Sequence, residues 1–341
     1  MTNNNSTIIS EYNTISVIIV NYKCWKDLEN CLFSLINIDK SDFDYEVIVV
    51  DNKSNDGMFN DFLNKFPEVK FVENSGNNGF ANGCNKGVSL AKGDYFLFLN
   101  PDTIVSKEPI FSMLKLAKED PNYGIVSCNQ LNNKGGSEKV IRLFPSLQNL
   151  FGITRAIFKS IHKKELSKRF DTSNGIVFPD WVSGSVVFIS RNWFKKVDGW
   201  NEDYWMYAED IDLCKKVAKL GGKIVLNKNA HIIHNHGGAS RLNIKTAALT
   251  KTEVIISKHV YVNNHFKGFL KYFSQFLIVF QVLSTKFILA LFGIVLFFIP
   301  KMNLQLIIFI NLINYYVYAL VRKSWLSERS MNNKISQIKN S

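Results

Sequence analysis

The apolar positions of this chain change their period several times, and each change marks an element. "ISVIIVNY" (15–22) is a continuous β-branched run closing in polar residues, the pattern of a strand buried on both faces. "WKDLENCLFSLIN" (25–37) carries apolar residues three and four apart and predicts a helix. "YEVIVVDNKSNDG" (45–57) repeats the strand and "FNDFLNKF" (59–66) the helix. "VKFVENSGNNGFANGCNKGVSLAKG" predicts a short strand, a Gly/Asn loop and another helix, and "DYFLFLNPDT" (94–103) a strongly apolar strand. Alternation at this spacing implies right-handed βαβ units, hence an α/β sheet of doubly wound type.

The pattern loosens over 130–175, which is locally basic, with "RAIFKSIHKKELSKRF" (155–170) as an amphipathic candidate. "DWVSGSVVFISRNWFKKVDGW" (180–200) predicts a strand, a turn and a short helix. An acidic stretch then opens a helix through Leu220, with Gly221-Gly222 as its stop. "KIVLNKNAHIIHNHGGAS" (223–240) begins as a strand and ends in a His/Gly-rich loop. Further on, 276–299 holds 24 residues with one charge, Lys286, and 302–321 holds 20 with none. Each run is near the roughly 20 residues that span a bilayer. A spanning hairpin, helices lying in the interface and a buried helical pair are all compatible with it, and Asn311, Asn314 and Tyr318 form a weak polar stripe on the second run.

Charge sharpens that picture. Of a net +12, most lies in 251–341, where 11 Lys/Arg face 2 Asp/Glu. Basic residues beside apolar runs point to an anionic membrane surface, and no motif points to nucleic acid. Lys267, Lys271, Arg322 and Lys323 flank the runs and would keep both ends cytoplasmic. The 5 cysteines are scattered without CxxC spacing, as expected of buried thiols in a reducing compartment. "MTNNNSTIISEYNT" lacks a basic-then-apolar signal, so the body is expected to be cytoplasmic.

Candidate chemistry lies where strands end. In an open α/β sheet ligands bind beyond the carboxyl ends of the strands, and two strands here run into Asp51 and Asp102. No GxGxxG follows the first strand and no GxxxxGK[ST] occurs, so dinucleotide and P-loop chemistry are not supported. Gly79 and Gly83 would let the "NNGFANGCN" backbone approach a nucleotide, or serve only a helix entry. His231, His234 and His236 lack the companions of a zinc site; a divalent ion on Asp102 and one imidazole is the better reading. In "WMYAEDIDLCKK" (205–216) Glu209, Asp210 and Asp212 either complement a helix dipole or include a general base. Asp212 is explained by pairing with Lys215 or Lys216, while the aromatics before Glu209 and Asp210 suggest a partly apolar pocket.

The pieces "SVIIVNYK", "VIVVDNKSNDG", "NNGFANGCNKG", "FLFLNPDT", "WVSGSVVFISRNWFKKVDGWNEDYWMYAEDIDLCKKVAKLGG" and "HIIHNHGGAS" together resemble family 2 glycosyltransferases, in particular their rhamnosyltransferase-like branch, over roughly 15–260. The resemblance implies a GT-A fold, a doubly wound and mostly parallel sheet, and inverting transfer from a nucleotide-sugar donor. It implies that Asp51 contacts the base, with Asn21, Asn78 and Gly79 near the nucleotide. Asp102 matches the last acid of the DxD motif, whose first acid is here Asn100, a departure usual in that branch that leaves the strictness of metal dependence open. Asp210 matches the catalytic base, Glu209 its partner, and His234 or His236, with His234 favoured, a ligand of metal and diphosphate. Trp181, Gly184 and Trp205 fall at the acceptor and donor pocket.

The expected organisation is a polar tail (1–14), a GT-A domain (15–262) with a nucleotide-binding half (15–105) and an acceptor half (176–262), membrane-associated helices (263–324) and a polar tail (325–341). The expected cofactor is a divalent cation, Mg²⁺ or Mn²⁺. The expected partners are dTDP-L-rhamnose, a polyprenyl-diphosphate-linked glycan acceptor and membrane lipids, at the cytoplasmic face of the membrane in O-antigen- or capsule-type polysaccharide synthesis. A galactofuranosyl- or hexosyltransferase using a UDP-sugar is the near alternative. A sugar nucleotidyltransferase would want a Gly-rich signature near the first strand that "VIIVNYK" lacks. A catalytically dead glycan-binding scaffold would have no need of the whole set of acids and histidine.

Overall fold

A computed structural model describes residues 14–137, 140–235 and 243–340 of the chain. Strands β1 (Thr14–Asn21), β2 (Asp44–Asp51), β3 (Lys70–Glu73) and β4 (Tyr95–Leu99) run parallel in the order β3-β2-β1-β4. Helices α1 (Trp25–Ile36), α2 (Met58–Lys65) and α3 (Phe80–Val88) connect them. The unbroken apolar run of β1 has a direct cause. Ile15, Val17 and Ile19 face one core with α1 and α2, while Ile18 and Val20 face a second with α3. Gly83 and Gly87 let α3 lie tight on the sheet, since a Cβ there would come within 2.7 and 2.5 Å of Val20 and Ile18.

Past β4 come β5 (Thr103–Ile104), α4 (Lys107–Glu119), β6 (Tyr123–Leu131), α5 (Gly152–Ile161), α6 (Lys163–Arg169), β7 (Ile176–Val177), β8 (Val186–Ser190), α7 (Arg191–Lys196), α8 (Glu209–Lys219) and β9 (Lys223–His234). The sheet continues β4-β8-β6-β9-β5, with β7 also on β9. The sheet is mixed: β5 and β7 run antiparallel to β9, and β8 is reversed between the parallel block of β1 to β4 and the parallel pair β6-β9. This reversal carries the turn 183–185 to the carboxyl end of β4, where Asn100 N donates to Ser185 O at 3.0 Å. β6 escapes the sequence pattern because Ser127, Asn129 and Gln130 interrupt its apolar run.

The C-terminal part is helical: α9 (Ile244–His265), α10 (Gly268–Val295), α11 (Pro300–Arg322) and α12 (Met331–Asn340). α9 joins it to the sheet domain. Its Ile256, Val260 and Tyr261 pack with Tyr204 before α8 and with Tyr315 and Ala319 of α11. α10 and α11 have mean hydropathies of 2.1 and 1.8 and are long and apolar enough to cross a membrane, with most side chains of those windows outward. Inside the pair, Lys286 donates to Gln305 Oε1 at 2.8 Å, which accounts for the one charge in that run. Residues 325–341, expected as a polar tail, carry α12, which folds back on the sheet domain. Asn332 Nδ2 donates to Asp203 and Lys334 Nζ to Asn78 Oδ1, each at 2.9 Å.

Candidate active site

Asp51, at the end of β2, is buried and well supplied with donors. Asn21 Nδ2 (2.9 Å) and Ser54 Oγ (2.6 Å) donate to Oδ1, and Ser54 N (2.8 Å) to Oδ2. Asn21 ends the neighbouring β1 in register with Asp51, so parallel pairing brings the two together. Beyond them lies a ladder of amides. Asn52 Nδ2 donates to Gly79 O, Asn74 Nδ2 to Asn52 and Asn82, and Asn82 and Asn85 donate to Glu202. Gly79 (φ 92) is required here, because a Cβ would sit 2.1 Å from Trp205 O. Trp205 itself is buried and fastens this loop, its Nε1 donating to Asn77 O at 3.0 Å.

Asp102 and His234 meet at the far side of β4, with Nε2 3.2 Å from Oδ1. The ring is fixed from behind: Nδ1 lies 2.8 Å from Gln130 Oε1, an acceptor, so Nδ1 carries the proton and Nε2 presents its lone pair. Nε2 and the Asp102 carboxylate are then two acceptors face to face, an arrangement reconciled by a proton or by a divalent cation between them. A carboxylate and an imidazole with diphosphate oxygens suit such an ion. Among the described residues no three His, Cys, Asp or Glu converge. His231 is on the opposite, exposed face of β9, and His236 lies outside the described residues. Gln130 had no signal in the sequence, since it belongs to the strand whose apolar run is broken.

Glu209 and Asp210 open α8 after two left-handed residues, Tyr207 (φ 72) and Ala208 (φ 63). Non-glycine residues seldom take this conformation, and such strain gathers at functional turns. Asp210 Oδ2 accepts from Gly184 N (3.0 Å) and Oδ1 from Ile211 N (2.8 Å). Burial pushes the Asp210 carboxyl up, and these two N–H donors with Arg142 pull it back. Glu209 is buried, one of its oxygens has no hydrogen-bond partner, and burial followed by the Asp210 charge pushes its carboxyl up to about 8. Near neutral pH the shared charge therefore rests on Asp210, with Glu209 holding the proton.

Asp210 lines a cavity of about 380 Å³ together with Trp181, Arg142, Tyr207 and residues of α5 and α9. Trp181 is anchored through Nε1 to Leu143 O (3.1 Å) and carries the Arg142 guanidinium 4.6 Å over its ring. The turn 183–185 links the two chemical centres, for Ser185 Oγ donates to Gln130 Oε1 at 2.6 Å while Gly184 holds Asp210. One expectation is corrected. Asp212 does not pair with Lys215 or Lys216 on the helix surface; it is buried, 2.7 Å from His265 Nε2 and 3.2 Å from Tyr204 Oη. The reason is α9, which covers that face of α8.

A parallel α/β half ending in Asn21 and Asp51, an Asp–His pair and a carboxylate in an adjoining cavity define a nucleotide-sugar transferase of GT-A type. The family profile described as glycosyl transferase family 2 matches residues 16–184, and one described as the N-terminal domain of galactosyltransferase matches 168–236. The chain belongs to family 2 of the glycosyltransferases. It is similar to the rhamnosyltransferase WbbL of Escherichia coli (strain K12), 27% identical over 59% of this chain and 76% of that protein. It is also similar to the N-acetylglucosaminyl-diphospho-decaprenol L-rhamnosyltransferase of Mycobacterium tuberculosis (strain ATCC 25618 / H37Rv), 25% identical over 65% of this chain and 76% of that one. The fold matches a mannosyltransferase of Pyrobaculum calidifontis solved with GDP-Man and Mn²⁺ (TM-score 0.52, 16% identity, 77% of this chain, 68% of that one). It matches GalNAc-T7 with UDP, GalNAc and Mn²⁺ equally well (TM-score 0.52, 16% identity, 72% of this chain), over about half of that protein (48%).

Proposed function

We propose that this glycosyltransferase moves L-rhamnose from dTDP-L-rhamnose, with inversion, to a lipid-linked oligosaccharide during polysaccharide assembly at the cytoplasmic face of the membrane. The observation that carries the reading is Asp210, held at both oxygens by the N–H groups of Gly184 and Ile211, beside the buried Glu209 and open to a cavity large enough for a sugar. Asp210 takes the proton of an acceptor hydroxyl, whose oxygen attacks the anomeric carbon as the nucleoside diphosphate leaves from the opposite face. Holding both substrates makes the step effectively unimolecular. Asp51, Asn21, Asn78 and Gly79 hold the nucleotide. Asp102 and His234 would hold a divalent cation, which supplies charge to the leaving diphosphate.

The rhamnosyl donor rests on the two relatives named above. The galactosyltransferase-type match over 168–236 favours a UDP-hexose as the second reading. The apolar, basic-flanked α10 and α11 support a membrane location and a lipid-linked acceptor.

The test is nucleotide release from dTDP-, UDP- and GDP-sugars by detergent-purified protein with a lipid-linked acceptor extract, in Mg²⁺, Mn²⁺ or EDTA. We expect turnover with dTDP-L-rhamnose and a loss of about 10²–10⁴-fold in Asp210→Asn with folding intact. Turnover confined to a UDP-sugar selects the second reading, and silence with every donor removes the transferase assignment.

A further inference from the structure

Part of the lining of the Asp210 cavity has a different chemistry. There α5 contributes Arg155, Phe158 and Lys159, α9 contributes Val254, Lys258 and Tyr261, and Arg142 stands over Trp181 nearer the base. Among the described residues no carboxylate pairs with Arg155, Lys159 or Lys258. Burial, and then the like charge of Arg155, pushes the Lys258 ammonium down, so these cations crowd one another instead of neutralising acids. Unpaired cations converging on a cavity are held at a cost that an anionic ligand removes.

The surroundings say from where that anion comes. On α5 the residues Ile153, Ile157 and Ile161 form a ridge four residues apart and are 78%, 54% and 74% exposed. Arg155 and Lys159 occupy the opposite face, towards the cavity. Leu150 and Phe151, just before α5, pack on the cluster of Ala248 and Val262 of α9, Ile278 and Val282 of α10, and Ile308 and Leu312 of α11. The cationic mouth is thus tied to the foot of the apolar helical pair, with an exposed apolar ridge beside it. This is the setting of an interfacial helix.

We propose that Arg155, Lys159 and Lys258 form a binding site for the diphosphate of a polyprenyl-diphosphate-linked acceptor, which sets the distance from the lipid to the sugar hydroxyl at Asp210. The proposal rests on the transferase reading above and adds the residues that select a diphosphate-linked acceptor over a neutral glycan. Arg155 offers a planar fork and the two lysines point charges, a donor set suited to phosphate oxygens. The Ile153–Ile157–Ile161 ridge rests in the lipid interface alongside the polyprenyl chain.

The probe is farnesyl diphosphate, added to the full chain in detergent with dTDP and UDP present to fill the donor site, and followed through the fluorescence of Trp181 in the cavity wall. We expect saturable binding, a dissociation constant raised 10-fold or more in the Arg155→Ala/Lys159→Ala variant, and a smaller rise in Arg155→Lys, which keeps the charge and loses the fork. Farnesol should bind far more weakly. An unchanged constant in the double variant, or equal binding of farnesol, overturns the site. Displacement of the probe by phosphatidylglycerol vesicles as readily as by inorganic diphosphate overturns it too, by making the cations a headgroup contact. The donor assay reads the other question independently. Nucleotide release with no effect of the double variant on the probe sinks this inference alone, whereas silence with every donor beside lost probe binding in the double variant sinks the transferase reading and leaves a diphosphate-lipid site with no acceptor role.

Discussion

Two carboxylate centres on one sheet are built in opposite ways. Asp51 is surrounded by donors from the two adjacent strand ends, Asn21 and Ser54, and fits its place without remainder. Glu209 and Asp210 are supplied more sparingly: Asp210 accepts one N–H at each oxygen, from Gly184 and Ile211, and Glu209 is left with one oxygen unpartnered. A satisfied acid shapes a binding surface, while an under-satisfied pair keeps a proton ready to move. The same contrast separates the two halves of the domain: parallel βαβ units on one side, reversed strands and long connections on the other.

Three substitutions would break or sharpen that contrast. The largest effect is expected from Asp212→Asn, which strips the buried partner from His265 and loosens α8 from α9. We expect a loss of about 3 kcal/mol in chemical denaturation, largely cancelled in a double-mutant cycle with His265→Ala. Additive losses would show that the two residues do not act as a pair. Next comes Glu209→Gln, which mimics the protonated acid. The Glu209 carboxyl lies at about 8 in the folded protein against an ordinary 4.5. The stability its proton supports is therefore full below about 4.5 and is lost as pH rises towards 8. The melting temperature of the Gln variant should gain on the wild type steadily over that window, and parallel curves would show that Glu209 does not titrate there. The smallest effect is expected from Ala208→Gly, which relieves the left-handed strain before α8. Stability should rise by about 1 kcal/mol while turnover falls, because the turn that aims Asp210 is freed. A gain in both would mean the strain does no positioning.

The nucleotide half was legible because its information is local. The strand runs of β1, β2 and β4 and the helical spacing of α1 stand in the sequence, and Asp51 and Asp102 follow their strands directly. Gly79 was visible as a glycine, but its reason, the carbonyl of Trp205, was not. β6 was missed because a strand between two others can place Ser127 and Gln130 against partners on β8 and β9, and polar residues erase the apolar period. Asp212 was misjudged for a related cause: three- and four-residue spacing describes an isolated helix surface, and α9 turned that surface into an interior.

By itself the sequence determined which elements form and which chemical groups stand at their ends, because period, strand termini and turn residues act over a few positions. The tertiary structure alone decided which groups meet. It set Gln130 behind His234, His265 against Asp212, Lys334 on Asn78 and the cations of α5 beside Lys258 of α9. Those pairings join segments tens to hundreds of residues apart, and their proton and charge states follow from burial, which no local pattern encodes.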